Sequence, residues 1–372
     1  MKITDVQCFC PIYEIGRFGE ARAVVLKITT DEGLFGLGEG TLSYPFCLSK
    51  QVVAAIAGAK QYLIGSDPLQ IEKIWHELYD RYFWRGGPVE GSAQGAINYA
   101  LWDIFGKSVN MPVYQLLGGA YHERIPIYLN GWWEGTSTTK EVVERALVTV
   151  EKGATRLKWY PFEFMSQIGN QYFVSSTDLK RGIDEVFAVR EAVGPSVDLM
   201  VDIWRRLDIS SAALFCREVE RANLVFVEEP IPAENLDSMI KLSRTVNTRL
   251  ASGERILSRY DFSKLFEAQA IGIAQINIGR VGGITEARKI AAMADNHGIG
   301  VAPHNPIGSV ATAAIVQLSA HMRNFLMLER FPPFQDEWMD QNLVYGPDYI
   351  ELPVQPGIGV TVDERFLANF AV

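Results

Sequence analysis

The chain has 372 residues, which is long for one ordinary domain but suits a barrel joined to a smaller domain. Hydrophobic residues make up 48% of it, and 35 basic against 44 acidic residues give a net charge of −9. No basic cluster is interleaved with aromatic residues, so the composition argues against a nucleic-acid-binding surface. The four cysteines follow no zinc-ligand or disulfide spacing, and the first residues lack the apolar core of a signal peptide. We therefore expect free thiols in a cytoplasmic protein that does not enter a membrane.

The first quarter of the chain predicts an antiparallel sheet followed by helices. Residues 6–13 and 21–30 are rich in β-branched and aromatic residues, and Asp31-Glu32-Gly33 predicts a turn into a third strand at 34–40. Helical spacing of apolar residues follows over 49–64, 68–82 and 91–109. Strands followed by helices indicate an α+β domain, which we place at residues 1–124.

From about residue 125 the pattern changes to alternating strands and helices. We predict eight strands, near 125–132, 155–160, 197–203, 224–228, 250–254, 271–278, 298–304 and 325–329, with helices between them such as 140–152 and 284–296. This alternation predicts a parallel barrel with right-handed crossovers over residues 125–330. The segment 331–372 has Pro-rich turns and one extended stretch at 349–354, and we expect it to return to the first domain.

Two stretches are longer than plain connections need to be. Residues 14–19 interrupt the first hairpin, and residues 159–177 form a long, aromatic connection between a strand and a helix. Long loops in compact domains are usually functional lids, although a bulky surface excursion is the alternative. We expect both loops to select the substrate, with Arg17 in the first and Tyr160 in the second as binding candidates.

Three acidic residues recur at one interval, each at the end of a short apolar run. Asp202, Glu228 and Glu254 are separated by 228 − 202 = 26 and 254 − 228 = 26 residues, the length of one strand, one helix and two short loops. Successive βα units would place the three carboxylates at the same height, at the face where a β/α barrel keeps its chemistry. Three oxygen anions suit a hard divalent cation such as Mg²⁺. The alternatives are a satisfied ion-pair network, or Glu229 as the ligand in place of Glu228.

A set of short motifs follows in order along the chain. They are Trp84-Arg85-Gly86-Gly87-Pro88, Ala100-Leu101-Trp102-Asp103, Gln115-Leu116-Leu117-Gly118-Gly119, Lys158 ending the second barrel strand, Glu228-Glu229-Pro230, Ala251-Ser252-Gly253-Glu254, Gly282-Gly283 and Ala302-Pro303-His304-Asn305-Pro306. In order and spacing this set resembles the enolase superfamily, mandelate racemase subgroup, and is similar to its acid-sugar dehydratases of the galactonate, gluconate and mannonate type. The resemblance covers essentially the whole chain. It implies an α/β fold, a modified TIM barrel (β/α)₇β with an α+β N-terminal capping domain.

The resemblance also implies one partial reaction, the Mg²⁺-assisted removal of the proton α to a substrate carboxylate. By resemblance Asp202, Glu228 and Glu254 are the metal ligands, because a divalent cation stabilises the enediolate as it forms. The family is usually oligomeric, so a homo-oligomer acting on a small-molecule carboxylate is expected.

Three further residues match family positions at strand ends. Lys158 matches the second lysine of a Lys-x-Lys pattern, with Arg156, a further substrate-binding candidate, in place of the first. Arg156 and the metal would lower the pKa of Lys158 and let it act as a base, unless Lys158 pairs with a site carboxylate. His304 matches the acid/base histidine and can give or take a proton near neutrality. Glu329 would hydrogen-bond the substrate carboxylate and could do so as a protonated acid; the alternative is a salt bridge with Arg330 or a neighbour.

Two positions depart from the family pattern. The sixth strand usually ends with an aspartate that pairs with the histidine, and here Asn277 stands at that position. An amide can orient an imidazole ring but cannot stabilise its charged form as a carboxylate does, which counts against His304 as a strong base. Trp204 stands where galactonate dehydratases carry an acid/base histidine, so that activity is disfavoured and Trp204 becomes a substrate-binding candidate.

The sequence thus predicts a Mg²⁺-dependent lyase that dehydrates an acid sugar to a 2-keto-3-deoxy acid. Lys158 or His304 would remove the α-proton, and His304, favoured for this role because of Asn277, would protonate the leaving β-hydroxyl. A racemase or epimerase with Lys158 and His304 on opposite faces of the α-carbon is the alternative on the same scaffold. A non-catalytic carboxylate-binding homologue is the alternative from another class.

Overall fold

The computed structural model describes residues 1–15, 19–40, 42, 48–81, 85–165, 173–305, 308–331 and 338–372. Arg17, Trp84 and residues 166–172 of the second long loop lie outside these ranges. Within them, no helix is both long and apolar enough to cross a membrane. Cys8, Cys10 and Cys216 are buried free thiols, as predicted, and Cys47 lies outside the described ranges.

The chain begins with five strands: β1 (Ile3–Phe9), β2 (Ile12–Ile15), β3 (Gly19–Arg22), β4 (Val24–Thr30) and β5 (Phe35–Gly40). The predicted antiparallel meander is confirmed, since β4 pairs with both β1 and β5. The separate hairpin of β2 and β3 was not predicted. The first predicted strand breaks at Cys10 and Pro11, where the backbone N–H of Cys10 bonds to the carbonyl of Phe370 instead of a strand partner.

Four helices follow: α1 (Ser49–Leu63), α2 (Ile71–Arg81), α3 (Pro88–Ser108) and α4 (Val113–Leu117). The first three confirm the predicted helices to within a few residues at each end. Helix α3 is buried on nearly all sides because it packs on β5 and reaches the barrel. Gly36 and Gly38 of β5 allow this close approach, since a Cβ at either position would lie about 2 Å from a carbonyl oxygen of α3.

A parallel barrel follows, in which strands and helices alternate through the described residues. Its strands are β6 (Arg124–Leu129), β7 (Arg156–Trp159), β8 (Asp198–Asp202), β9 (Phe226–Glu228), β10 (Leu250–Ser252), β11 (Ile273–Ala274), β12 (Gly300–Val301) and β13 (Leu328–Arg330). Its helices are α5 (Thr139–Glu151), α6 (Ser176–Val193), α7 (Ile209–Glu218), α8 (Leu236–Ser243), α9 (Arg259–Glu267), α10 (Ile284–Asn296) and α11 (Ser309–His321). The predicted (β/α)₇β order is confirmed.

The barrel strands are hydrogen-bonded in the order β12-β11-β10-β9-β8-β7-β6-β13. Val301 in β12 bridges Phe325, three residues before β13, so the curled sheet meets itself. Below the C-terminal ends the interior is filled by apolar side chains, namely Tyr128, Met200, Phe226, Ala251, Ile273, Ala302 and Met327. The barrel is therefore a packed core, and its polar groups collect at one end.

Short polar residues set where several barrel helices begin. Thr138 accepts a hydrogen bond from the backbone of Glu141, whose carboxylate returns one to Thr138, so a capping box starts α5. The side chains of Ser175, Asp208 and Ser258 cap α6, α7 and α9 by accepting backbone N–H groups of the first turn. Asp208 and Ser258 each lie six residues after the end of a barrel strand, so they fix the start of the helix close to the site.

The last segment contacts both the barrel and the N-terminal sheet. It contains β14 (Met339–Gln341), β15 (Tyr349–Glu351), β16 (Thr361–Val362) and α12 (Glu364–Leu367). Strand β15 pairs antiparallel with β6. The N–H of Ile358 donates to Asp103 of α3 at 2.9 Å, and the N–H of Val372 donates to the carbonyl of Cys8 at 3.1 Å.

Candidate active site

Polar side chains gather at the C-terminal ends of seven neighbouring barrel strands. The set comprises Lys158 on β7, Asp202 on β8, Glu228 on β9, Glu254 after β10, Asn277 after β11, His304 after β12 and Glu329 on β13. All of these side chains are buried except Glu254, which is slightly exposed. The structure therefore brings together every catalytic and metal-binding candidate of the sequence analysis in one place.

Lys158 lies between two carboxylates. Its Nζ is 2.5 Å from Oε2 of Glu228 and 2.7 Å from Oε1 of Glu329, and it lies over the ring of Tyr128. Burial opposes the charge of Lys158, but the carboxylates of Glu228 and then Glu329 outweigh burial and raise the pKa of Lys158 well above its usual range. The expectation of a lowered pKa is therefore wrong for this arrangement, because both carboxylates stabilise the ammonium.

Glu329 is fully engaged as a hydrogen-bond acceptor. Besides Lys158, Asn130 donates to Oε1 at 2.8 Å and the backbone N–H of Asn305 donates to Oε2 at 2.9 Å. Burial would raise the pKa of Glu329, but the charge of Lys158 and the hydrogen bonds from Lys158 and Asn305 lower it overall. Glu329 is thus a carboxylate, not the protonated acid considered above, and its salt bridge is with Lys158, not with Arg330.

Two of the three predicted metal ligands lie level with each other, and the third does not. Asp202 and Glu228 are register partners in the sheet, but the partner of Glu228 on β10 is Ala251, three residues before Glu254. Glu254 is reached through Gly253, whose φ of +151° and close approach to the backbone of Gln275 would exclude a side chain. The prediction of equal height is wrong for Glu254, since the chain bends away from β10 first.

Nearby carboxylates disfavour the charged forms of two of the three proposed ligands, Asp202 and Glu228. Burial and then the charge of Glu228 raise the pKa of Asp202 well above its usual range, and burial also raises the pKa of Glu228 against the effect of Lys158. Their present partners are the backbone N–H of Trp204 for Asp202, Lys158 for Glu228 and His304 for Glu254. Consequently no three His, Cys, Asp or Glu side chains form a ready coordination shell in the described ranges.

The chemistry of this donor set nevertheless fits a hard divalent cation. All three donors are carboxylates, and the buried Oε1 of Glu228 has no hydrogen-bond partner. Glu229, the alternative ligand, is engaged elsewhere, since Arg255 donates to its Oε2 from both Nε and Nη2. Burial raises the pKa of Glu229 to about 7, against the charge of Arg255. The geometry therefore favours Glu228 over Glu229.

His304 follows β12, two strands along the sheet from β10, the strand that precedes Glu254. Its Nε2 is 2.6 Å from Oε2 of Glu254, and its Nδ1 is 2.8 Å from Nδ2 of Asn277. The prediction that Asn277 reaches one imidazole nitrogen is confirmed. Arg280, which the sequence analysis missed, donates its backbone N–H to Oδ1 of Asn277 at 3.0 Å and Nη1 to the carbonyl of Glu254 at 3.2 Å. The neighbouring Gly282-Gly283 motif was the only sequence signal near it.

Aromatic rings form one wall of the site. Tyr160 stacks on Trp204 with ring centroids 5.7 Å apart, and Trp133 contacts Tyr160 at 4.8 Å. Asn130 lies 3.4 Å from the Tyr160 hydroxyl and so joins this wall to Glu329. Burial raises the pKa of Tyr160 well above its usual range, so its hydroxyl stays protonated. Trp133 and Asn130 were missed, although both follow the end of β6.

The structure does not bring Arg156 to the site. Its guanidinium lies toward the backbone carbonyls of Ile127 and Asp348 and within 3.6 Å of the Asp348 carboxylate. Arg156 therefore ties β7 to the C-terminal segment, and the expectation that it contacts substrate or tunes Lys158 is wrong. Arg17, the substrate-binding candidate in the loop at residues 14–19, lies outside the described ranges.

Two protein families match the sequence of this chain. Residues 5–118 match the family described as mandelate racemase / muconate lactonizing enzyme, N-terminal domain, and residues 141–366 match the family described as enolase C-terminal domain-like. The chain belongs to the enolase superfamily. It is therefore an enzyme with the cap-and-barrel fold of that superfamily.

Relatives of this superfamily enzyme include proteins with named activities. It is 37% identical over 309 residues to D-galactonate dehydratase of Pectobacterium atrosepticum, covering 83% of this chain and 78% of the relative. A crystal structure of an enolase superfamily member from Salmonella Typhimurium superposes with a TM-score of 0.93 at 29% identity, covering 100% of this chain and 99% of the other. An enolase from Pantoea ananatis with bound D-gluconate and Mg superposes with a TM-score of 0.88 at 27% identity, covering 99% and 94%.

Proposed function

We propose that this enzyme is a Mg²⁺-dependent hydro-lyase that converts an acid sugar of the aldonate type into a 2-keto-3-deoxy acid. The observation that carries the proposal is the placement of Lys158 and His304 at opposite sides of Asp202, Glu228 and Glu254. D-Galactonate dehydratase and the gluconate-bound enolase support the substrate class.

Asp202, Glu228 and Glu254 are the proposed ligands of the cation. When bound, Mg²⁺ supplies positive charge that stabilises an anion developing on the substrate carboxylate. The unpartnered Oε1 of Glu228 and the charge of Glu228 beside Asp202 support this assignment. Because Lys158 and His304 now contact two of the proposed ligands, binding requires these side chains to exchange partners.

Lys158 is the proposed base for the α-proton. It is buried, and its Nζ points into the site from the second barrel strand. A base needs the neutral amine, which Glu228 and Glu329 now disfavour. Any change that takes Glu228 away from Lys158 therefore moves Lys158 toward the reactive form.

His304 is the proposed donor of a proton to the leaving β-hydroxyl. Its Nε2 faces Glu254, whereas Lys158 pairs with Glu228 and Glu329. The stacked rings of Tyr160 and Trp204 offer an apolar face to the carbon chain of the substrate, next to the polar group of Asn130. Trp204 has no exchangeable proton of the imidazole kind, so it cannot replace the histidine of galactonate dehydratases as an acid or base.

A library of acid sugars tests the proposal most directly, with Mg²⁺ saturating and keto-acid release as the readout. At least one aldonate should yield a 2-keto-3-deoxy acid, and EDTA should abolish the yield. A racemase or epimerase on the same scaffold would instead exchange the α-proton with solvent and return an epimer without keto acid. The non-catalytic alternative is not retained, because the chain belongs to a superfamily of enzymes.

A further inference from the structure

The side-chain amide of Asn277 is fixed in one orientation. Its Oδ1 accepts the backbone N–H of Arg280 at 3.0 Å, and only an oxygen can accept there. The other end of the amide, Nδ2, therefore faces Nδ1 of His304 at 2.8 Å. Turning the amide over would place an NH₂ group against the N–H of Arg280 and leave two donors facing each other.

The loop that supplies the Arg280 N–H is held from behind by the N-terminal domain. Gly91 and Gly95 of α3 pack on it so closely that a Cβ would lie 2.0 Å from the carbonyl oxygen of Arg280 and 2.2 Å from that of Gly279. Trp75 of α2 donates Nε1–H to the carbonyl of Gly282 at 2.8 Å. The Arg280 N–H cannot turn away from Asn277 without moving these contacts.

The fixed amide decides which ring nitrogen of neutral His304 carries hydrogen. An amide NH₂ only donates, so Nδ1 must offer its lone pair and the hydrogen must lie on Nε2. The contact between His304 and Glu254 also requires a hydrogen on Nε2. Without it, two acceptors would face each other across the 2.6 Å that separates Nε2 from Oε2 of Glu254. Glu254 is a carboxylate acceptor, since its Oε1 also pairs with Arg255 at 3.2 Å.

We propose that Asn277, oriented by the backbone of Arg280, holds neutral His304 as the Nε2–H tautomer and so makes it a hydrogen donor toward the site. An aspartate at this position would accept from both the Arg280 N–H and an Nδ1–H, so a neutral ring would carry its lone pair at Nε2 once Glu254 no longer faces that nitrogen. Asparagine and aspartate have nearly the same shape. Exchanging the amide nitrogen for an oxygen therefore changes Nε2 of neutral His304 from a hydrogen donor to an acceptor. Asn277 is a positioning residue in this scheme. The consequence for catalysis rests on the proposed function, but the tautomer does not.

The tautomer is measured by ¹⁵N NMR of the metal-free enzyme labelled at its 5 histidines, at about pH 8.5, where an unperturbed imidazole is neutral. The His304→Asn variant identifies the signals of His304. We expect a protonated Nε2 and an unprotonated Nδ1 in the wild type, and a protonated Nδ1 in Asn277→Asp. Asn110→Asp, at an exposed residue after α3, is the matched control and should leave the His304 signals unchanged. A protonated Nδ1 in the wild type, with or without a proton on Nε2, would overturn the proposal.

A second measurement separates this proposal from the proposed function. In ²H₂O with Mg²⁺ and an acid-sugar substrate, Lys158→Met should exchange no α-proton, whereas Lys158→Met/Asn277→Asp should regain exchange at least about 10-fold above it, because Nε2 gains a lone pair. Regained exchange supports both ideas. A protonated Nδ1 in Asn277→Asp without regained exchange would keep the tautomer and would show that Nε2 does not reach the α-proton. Unchanged NMR signals in Asn277→Asp would overturn the tautomer whatever the exchange shows.

Discussion

The two sides of the site satisfy their polar groups in different ways. On the lysine side, Lys158 is a buried charge placed between the charges of Glu228 and Glu329. On the histidine side, Asn277 offers a neutral amide to the imidazole ring of His304. Removing one member of a buried ion pair costs stability as well as chemistry, whereas exchanging an amide for an acid leaves the shape intact. The lysine side should therefore be sensitive in folding and activity, and the histidine side mainly in activity.

The largest expected effect is that of Lys158→Met. Keto-acid formation should fall by about 10²–10⁴-fold, the usual contribution of a general base. The free energy of unfolding should also fall by about 3–5 kcal/mol, because Glu228 and Glu329 are left buried without their partner. Steady-state rates and urea denaturation measure the two effects.

Two further variants show whether the loss of activity in Lys158→Met comes from lost chemistry or from lost stability. Lys158→Arg keeps a charge that cannot be lost near neutral pH, so it should fold better than the methionine variant and remain inactive. Lys180→Met, at a 73% exposed side chain on α6, should leave both measurements near wild type. An arginine variant with near-normal rates would show that Lys158 acts only as a charge.

The next effect concerns the carboxylates that join the two sides. Glu228→Gln should weaken Mg²⁺ binding by at least about 10-fold, since it removes one ligand charge beside two others. Glu229→Gln is the matched comparison, because its side chain faces Arg255 and should matter much less to the metal. Isothermal titration calorimetry of both variants decides between the adjacent glutamates. Equal losses, or an unchanged affinity in Glu228→Gln with the fold intact, would reject Glu228 as the ligand.

A smaller effect is expected at the aromatic wall between the two sides. Trp204→Ala should raise KM about 2–10-fold with little change in kcat, as expected for an aromatic contact of about 0.5–1.5 kcal/mol. Trp204→Phe keeps a ring that can stack on Tyr160 and should retain most of the affinity. If kcat falls instead of KM rising, Trp204 contributes to the reaction and not to binding alone.

The smallest expected effect concerns the stability contributed by Glu185 of α6, which contacts Trp159 next to Lys158. Burial raises the pKa of Glu185 from 4.5 to about 7, against hydrogen bonds from Thr139 and Trp159. The folded protein thus binds this proton more tightly than the unfolded chain. The stabilisation is complete below about pH 4 and is lost as the pH rises to about 7.

Glu185→Gln mimics the protonated form at every pH. Its free energy of unfolding relative to wild type should therefore rise between pH 5 and pH 8, with an upper limit of about 1.4 kcal/mol per unit of pKa shift. Urea unfolding at several pH values measures the difference. A difference that does not change with pH would mean that Glu185 is not protonated in the folded protein near neutrality.

The sequence predicts the barrel and most of the site because both depend on periodicity. Strand ends recur along the chain, and parallel strands bring their ends to one face, so Lys158, Asp202 and Glu228 could be placed together in advance. The helices could be placed for the same reason, since apolar spacing and polar caps are local. The long predicted strands at 271–278 and 298–304 are much shorter in the structure, because their polar ends leave the sheet to form the site.

What the sequence could not predict depends on contacts between distant segments. The charge state of Lys158 is set by Glu329, which lies on the strand that closes the barrel. Arg156 is only two residues from Lys158, yet it pairs with Asp348 of the last segment, which no local pattern indicates. Asn130 and Arg280 were missed because single polar residues after strands carry no spacing signal. The interpretation of the loop at residues 14–19 and of Arg17 stays a prediction.

The most direct test of the account compares the two sides in one experiment. Wild type, Lys158→Met and His304→Asn are each incubated in ²H₂O with Mg²⁺ and an acid sugar that the wild type dehydrates, and both α-deuterium incorporation and keto acid are measured. The account predicts that Lys158→Met shows neither, whereas His304→Asn exchanges the α-proton but forms keto acid at least about 10²-fold more slowly. Exchange retained by Lys158→Met and lost by His304→Asn would contradict it, because the histidine side would then remove the proton.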